Sequence, residues 1–122
     1  MLKEVKLEDV LFLDIETVPQ TPDYAQLPDD LKPYWDKKAT YLIKGDETPE
    51  TIFGRSGIYA EFGKIICISA GFIVQRDGER YFRVKSFYGD DEIALLSGFS
   101  VMLNRFGAKP KANLCAHNGK EF

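Results

Sequence analysis

The sequence predicts an α/β fold in which one crossover helix connects strands of a four-stranded mixed sheet. Three observations predict this fold class: two apolar runs of strand length, an Asp-Gly turn between strand-like segments, and one amphipathic stretch with helical spacing. The chain has 122 residues, of which 44% are apolar, so it can form one domain with a hydrophobic core.

The first two strands are predicted from apolar runs that suit burial on both faces. Residues 10–13, Val-Leu-Phe-Leu, form the first run, and Asp14, Ile15 and Glu16 follow it directly. Residues 64–74 form the second run, whose β-branched content favours a strand in the middle of the sheet.

A hairpin and a third strand come next. Asp77 and Gly78 favour the positive φ angles of a tight hairpin turn. Residues 80–88 then alternate, with Phe82 and Val84 on one face and mostly charged residues on the other. We therefore expect an antiparallel strand with one wetter face.

One strongly amphipathic stretch predicts a helix after the hairpin. Asp90 or Asp91 is a suitable N-cap, and Gly107 and Pro110 end the helix. A fourth strand is predicted over residues 113–116. The apolar positions recur at intervals of three and four residues and are Ile93, Leu96, Phe99, Leu103 and Phe106.

Residues 18–62 hold five of the six prolines and show no strong periodicity. We predict an irregular insertion after the first strand. A short helix is expected within residues 27–42, and a second between Pro49 and Phe62.

A right-handed crossover through the helix places the fourth strand beside the first and parallel to it, and the hairpin lies on the other side of the first strand. The predicted strand order is therefore 3-2-1-4. Cys67 and Cys115 are then two strand spacings apart, about 10 Å. That separation excludes a disulfide, so we expect two buried free thiols.

Composition limits the location and the class of ligand. No stretch approaches the ~18 apolar residues of a membrane span, and the N-terminus does not resemble a signal peptide. We expect a cytoplasmic protein with no membrane partner. Since the net charge is −3, a nucleic acid would be held locally, by bound metal and a few backbone donors, rather than by a basic surface.

Polar residues follow the first and fourth predicted strands. Asp14 and Glu16 are two apart, so both carboxylates project from one face, and His117 and Asn118 follow the fourth strand. Because parallel neighbours end at the same edge of a sheet, we expect the two clusters to meet. Oxygen ligands favour Mg²⁺ or Mn²⁺ over zinc. Taken alone, an Asp-x-Glu pair is more often a solvated strand end or a helix cap than a catalytic pair.

Three segments resemble the DEDD superfamily of ribonuclease-H-like 3′–5′ exonucleases, in particular the exonuclease domain of family B DNA polymerases. LFLDIETVP (residues 11–19) is similar to the first exonuclease motif, and LCAHNGKEF (residues 114–122) to the start of the second. EFGKIICIS (residues 61–69) is similar to the second strand of the family B domain. The resemblance implies a ribonuclease-H-like fold and an enzyme that hydrolyses phosphodiester bonds at the 3′ end of single-stranded nucleic acid. It favours DNA over RNA, and a mechanism with two Mg²⁺ or Mn²⁺ ions.

The resemblance also implies roles for individual residues. Asp14 is similar to the acid that bridges both metals, and Glu16 to the acid that holds the nucleophile-side metal. Thr17 and Asn118 occupy positions that contact the substrate near its 3′ end. His117, the single histidine, is expected to lie beside the substrate as a hydrogen-bonded strand-end residue. It is not the expected base, because the family takes that residue from a third motif.

In the family an aspartate directly follows the phenylalanine that corresponds to Phe122, and a fourth carboxylate belongs to the third motif. We therefore interpret residues 1–122 as the N-terminal part of a single exonuclease domain. Glu121 is out of register and does not substitute for the aspartate. With two of four ligands, the chain alone is expected to bind metal weakly and to have little or no activity.

Two alternatives remain open. A phosphatase of the haloacid-dehalogenase type also carries a nucleophilic aspartate after its first strand, but its motif resembles Asp-x-Asp, whereas Glu16 stands at the second position here. A degenerate exonuclease fold that serves as a nucleic-acid-binding module is the second alternative. The cations Arg80, Arg83 and Lys85 of the third strand could contribute to such a module.

Overall fold

The computed structural model describes residues 4–117, which form a mixed α/β structure with one four-stranded sheet. The elements in chain order are β1 (Val10–Pro19), α1 (Lys32–Ala39), β2 (Gly63–Arg76), β3 (Glu79–Tyr88), α2 (Glu92–Gly107) and β4 (Asn113–Ala116). The strand order is β3-β2-β1-β4, as predicted. β4 runs parallel to β1, and β2 and β3 form an antiparallel hairpin. Within residues 4–117, none of the helices has the length and apolar content needed to cross a membrane.

The described chain divides into two compact units. We call residues 4–16 and 66–117 the sheet unit, and residues 17–65 the inserted unit. β1 and β2 each run from one unit into the other.

The core of the sheet unit lies between the sheet and α2. Leu11, Ala70 and Phe106 are buried there. The rings of Phe87 on β3 and Phe99 on α2 meet edge to face, with centroids 5.9 Å apart. α2 therefore covers one face of the sheet.

The predicted helix is confirmed, but its predicted apolar face was partly wrong. Asp91 caps α2, because its side chain accepts a hydrogen bond of 3.0 Å from the backbone N–H of Ala94. Ile93 is 80% exposed and Leu96 is 38% exposed, so neither belongs to the buried face of the helix. Leu95 is buried in their place. The contacts of Phe99, Leu103 and Phe106 with the sheet side agree with the prediction.

The hairpin turn has the geometry that its sequence predicts. Asp77 and Gly78 both have positive φ, 52° and 82°, as a type I′ turn requires. The expectation of one wetter face on β3 was wrong, because every residue from Glu79 to Ser86 is exposed. β3 is the outer strand, and Phe87 is its one half-buried residue near α2.

An aromatic contact crosses the sheet on the face opposite α2. The rings of Phe12 on β1 and Phe82 on β3 lie 5.9 Å apart, edge to face, although β2 separates their strands. Gly71 on β2 lies beneath the Phe82 ring, and a Cβ at that position would collide with it. The glycine therefore leaves the space over β2 in which the rings of Phe12 and Phe82 meet.

The inserted unit is irregular in secondary structure, but it has an aromatic core of its own. Trp35 is fully buried and contacts Phe53 and Phe62 edge to face, at 5.5 and 5.3 Å between centroids. Its indole N–H donates to the Pro49 carbonyl at 2.9 Å. α1 confirms the first short helix predicted in this segment, and a six-residue 3₁₀ helix, Phe53–Ile58, lies where the second was expected.

Both cysteines are free, and the strand order puts them two strands apart, as predicted. The expectation that both thiols are buried was wrong. Cys67 is half-buried on the inner strand β2, whereas Cys115 is exposed on the outer strand β4.

Candidate functional site

The carboxylates Asp14 and Glu16 lie in the middle of β1 rather than at its end. The strand continues through Thr17 and Val18 to Pro19, so the prediction that it ends with these acids was wrong. Thr17 and Val18 are β-branched and favour extended backbone. Proline cannot donate to a sheet ladder and suits a strand terminus.

The parallel pairing of β1 and β4 sets the position of the acids relative to His117. The last pair in register is Leu13 with Ala116. Asp14 directly follows Leu13, and His117 directly follows Ala116, so both come next after the same pair. The prediction that these two segments run side by side in the same direction is confirmed.

Both acids project from the sheet face opposite α2. Residues two apart on a strand share a face. Leu11 and Leu13 belong to the core that α2 helps to form, whereas Phe12 contacts Phe82 on the other side. Asp14 and Glu16 follow the parity of Phe12, and both are exposed. The prediction that they share one face therefore agrees with the strand geometry.

The exposure of Asp14 and Glu16 changes the electrostatic argument for a metal. Buried carboxylates need a cation to offset desolvation, whereas exposed ones are hydrated by water. Within residues 4–117, neither carboxylate forms a hydrogen bond or an ion pair. Two exposed carboxylates on one strand face, without an ion-pair partner among residues 4–117, form an oxygen-only donor pair that suits Mg²⁺ or Mn²⁺.

A third ligand for such a pair is not found in the described part of the chain. No group of three or more His, Cys, Asp or Glu side chains has metal-binding proximity among residues 4–117. His117 is exposed, and its expected side-chain hydrogen bond is not present among those residues. Asn118, the other predicted substrate contact, lies outside the described residues.

Thr17 is half-buried on β1 and is the first residue of the inserted unit. Its predicted role depends on its backbone, which continues the extended conformation of Asp14 and Glu16. The role itself stays a prediction.

A pair of serines on the same sheet face was missed by the sequence analysis. The hydroxyls of Ser69 on β2 and Ser86 on β3 are 2.8 Å apart. The register of the hairpin pairs these residues directly. Counting outward from the Asp-Gly turn would have found the pair, because Arg76 pairs with Glu79 and every later pair follows from it.

The chain was compared with family models, with characterised proteins and with solved structures. None of the three comparisons gives a significant match.

Proposed function

We propose that this chain carries metal-binding carboxylates of a ribonuclease-H-like 3′–5′ exonuclease that acts on single-stranded nucleic acid. Asp14 and Glu16 are the proposed ligands of Mg²⁺ or Mn²⁺. Thr17, His117 and Asn118 are the proposed contacts to the 3′ end of the substrate, with DNA favoured over RNA.

The register of β1 and β4 is the observation that carries the proposal. It supports the proposal because Asp14 and His117 each come directly after the pair Leu13 and Ala116. β4 ends at Ala116, so both residues lie where the parallel pairing stops, although β1 itself continues. In open α/β sheets, ligands bind beyond the carboxyl ends of parallel strands, which here applies to β4. The strand order 3-2-1-4 is consistent with a ribonuclease-H-like sheet.

The donor set defines what the residues can do. When bound, two divalent ions would supply an activated water and stabilise the leaving oxygen of a phosphodiester. Asp14 and Glu16 would hold and orient such ions from one strand face. Both carboxylates are exposed, so a phosphodiester can approach them from solvent.

Metal binding is the first test. In ¹⁵N-labelled protein, Mn²⁺ is expected to broaden the backbone signals of the residues around Asp14 and His117 before the rest. Asp14→Asn and Glu16→Gln should each remove this selective broadening, because each replaces an anionic ligand with a neutral amide. Asp77→Asn is the matched control, since Asp77 lies in the hairpin turn and asparagine also tolerates its positive φ.

Preferential broadening elsewhere, or no change in Asp14→Asn, would remove the basis for a metal site on β1. Competition by Mg²⁺ should reverse the broadening, since both ions prefer oxygen ligands.

Hydrolysis of 5′-labelled single-stranded DNA in Mn²⁺ is the second test. Shortening from the 3′ end is expected to be slow, because the described residues supply only two carboxylates for two ions. It should disappear in Asp14→Asn and persist in Asp77→Asn, since asparagine tolerates the positive φ of position 77. Binding of the DNA that is unchanged in Asp14→Asn, without any shortening, would favour the alternative of a degenerate exonuclease fold that binds nucleic acid.

A further inference from the structure

A second surface of the sheet unit has features that the proposed function does not use. An open groove of about 440 Å³ runs between α2 and the outer part of the sheet. Pockets of this size accommodate a ligand of several side chains. The groove lies on the α2 side of the sheet, whereas Asp14 and Glu16 project from the opposite side. A ligand there would be separate from the proposed metal.

Four cationic side chains line this groove. Arg83 and Lys85 come from β3, Arg105 comes from α2, and Lys109 follows the C-terminal end of that helix. The residues that line the groove include no acid. This concentration of positive charge contrasts with the chain as a whole, whose net charge is −3.

The four positive charges are not neutralised within the described chain. None of these residues forms an ion pair among residues 4–117. Lys85 lies over the Phe87 ring at 5.0 Å, and Lys109 over the Phe106 ring at 4.4 Å. Lys109 also donates to the backbone carbonyl of Glu8 at 2.9 Å. The two lysines are thus held in position while their charges stay available to an anion.

The apolar surface between the cations is mainly aliphatic. Val101 is 52% exposed, and Met102 and the half-buried Val74 of β2 lie beside it. Two aromatic rings line the groove: Phe72 is half-buried and packs against the core, and Phe106 is 7% exposed with Lys109 over it. Nucleobases bind by stacking on exposed aromatic faces. An aliphatic floor suits the side chains of a peptide better.

We propose that this groove binds an acidic peptide segment of a protein partner, with aliphatic side chains on the apolar floor and carboxylates on the four cations. Charge complementarity and the aliphatic floor together select this ligand. Met102 adds adaptability, because its unbranched thioether can adjust to side chains of different shape.

The test uses a fluorescein-labelled peptide of alternating glutamate and leucine and measures its anisotropy with the full chain. A peptide of alternating glutamate and serine has equal charge and should bind clearly more weakly, because it lacks aliphatic side chains. Neutralising one cation on each wall, with Arg83→Gln and Arg105→Gln together, should weaken binding of the leucine peptide about tenfold.

A matched double variant, Lys6→Gln with Lys37→Gln, removes the same charge from two exposed lysines outside the groove lining and should leave binding nearly unchanged. Circular dichroism verifies that both variants are folded. Equal weakening in the two double variants would overturn the proposal, since the effect would then reflect net charge alone.

Two further probes separate the other classes of ligand. The probes are oligothymidylate and phosphatidylserine vesicles. The proposal would be overturned if either bound more tightly than the leucine peptide and lost that binding in Arg83→Gln with Arg105→Gln. Oligothymidylate would then indicate a nucleic-acid site, and the vesicles a membrane site. The outcome does not depend on the metal tests, because Asp14→Asn should leave peptide binding unchanged.

Discussion

The inserted unit and the sheet unit bury their apolar residues in different ways. The inserted unit encloses Trp35 completely and also buries Leu27, Phe53 and Phe62 almost fully. In the sheet unit, β4 is exposed along its whole length, and β3 is exposed except at Phe87. The segment that appeared least ordered in the sequence therefore has the more completely buried aromatic core.

This difference in burial separates the residues that stabilise the fold from those proposed to bind metal or a ligand. A buried aromatic cluster contributes mainly stability. Exposed strand faces contribute less, but they leave side chains such as Asp14 and Arg83 accessible to ligands. Three substitutions test this comparison, in order of decreasing expected effect.

Trp35→Ala tests the core of the inserted unit. Removing this fully buried ring should lower the free energy of unfolding by about 3–5 kcal/mol, because apolar contacts are lost and a cavity remains. Urea unfolding followed by far-UV circular dichroism measures the change, since Trp35 is the single tryptophan. Tyr41→Ala, at a residue 80% exposed in the same unit, should change stability by less than about 0.5 kcal/mol. Similar effects of the two variants would contradict the comparison.

Asp91→Ala tests the helix that covers the sheet. It removes the side-chain acceptor for the Ala94 N–H and should lower the free energy of unfolding by about 1 kcal/mol. Asp91→Asn preserves an N-cap acceptor and should restore most of that loss. Failure of asparagine to restore stability would show that the charge of Asp91, rather than the capping bond, is what matters.

Tyr24→Phe tests a polar contact at the border of the aromatic core. The phenol of Tyr24 donates a 2.9 Å hydrogen bond to Asp36 Oδ1. This bond, with some burial, raises the pKa of Tyr24 from 10.0 to about 12. Because the folded-state pKa is the higher one, the stabilisation is complete below pH 10.0 and is lost as pH rises through about 12.

Tyr24→Phe should therefore flatten the decline in stability over that alkaline range, measured by urea unfolding at a series of pH values. Tyr34→Phe, at a residue 67% exposed, provides the control and should retain the decline. An unchanged decline in Tyr24→Phe would assign the alkaline transition to other groups.

The sheet was predictable from the sequence because local signals fix its order. The Asp77-Gly78 turn requires positive φ at two successive residues, and it sets the register of β2 and β3. Asp91 marks the start of α2, and the right-handed crossover then brings β4 beside β1. These features depend on neighbouring residues and on chirality rather than on distant packing.

The aromatic core of the inserted unit was not predictable, because its residues follow neither strand nor helix spacing. Leu27, Trp35, Ile52 and Phe62 come from separate turns and short helices, and only tertiary packing brings them together. The apolar face of α2 was partly mispredicted for a related reason. Apolar residues occur on more than one side of this helix, and in the folded structure Leu95 is buried whereas Ile93 is exposed.

The candidate site was predicted in part. The neighbouring positions of Asp14 and His117 follow from the crossover rule. The extension of β1 to Pro19 was missed, although the β-branched Thr17 and Val18 favour it. The exposure of the acids was missed because side-chain alternation does not say which face of a strand is covered. Arg105 and Lys109 were missed as partners of Arg83, although residues 98, 101, 102 and 105 repeat at helical spacing along one side of α2 and Lys109 closely follows the helix.

The Phe82 ring of β3 lies over Gly71 of β2 and contacts Phe12 of β1, which is possible because Gly71 has no Cβ. Positions 12, 71 and 82 should therefore vary together among homologous sequences. A side chain at position 71 would collide with the Phe82 ring, so it requires a smaller residue at position 82. The contact between positions 82 and 12 is then lost. Repacking at 71 would also disturb the strand face that bears Asp14, so a substitution remote in sequence could alter the proposed metal ligands without touching them.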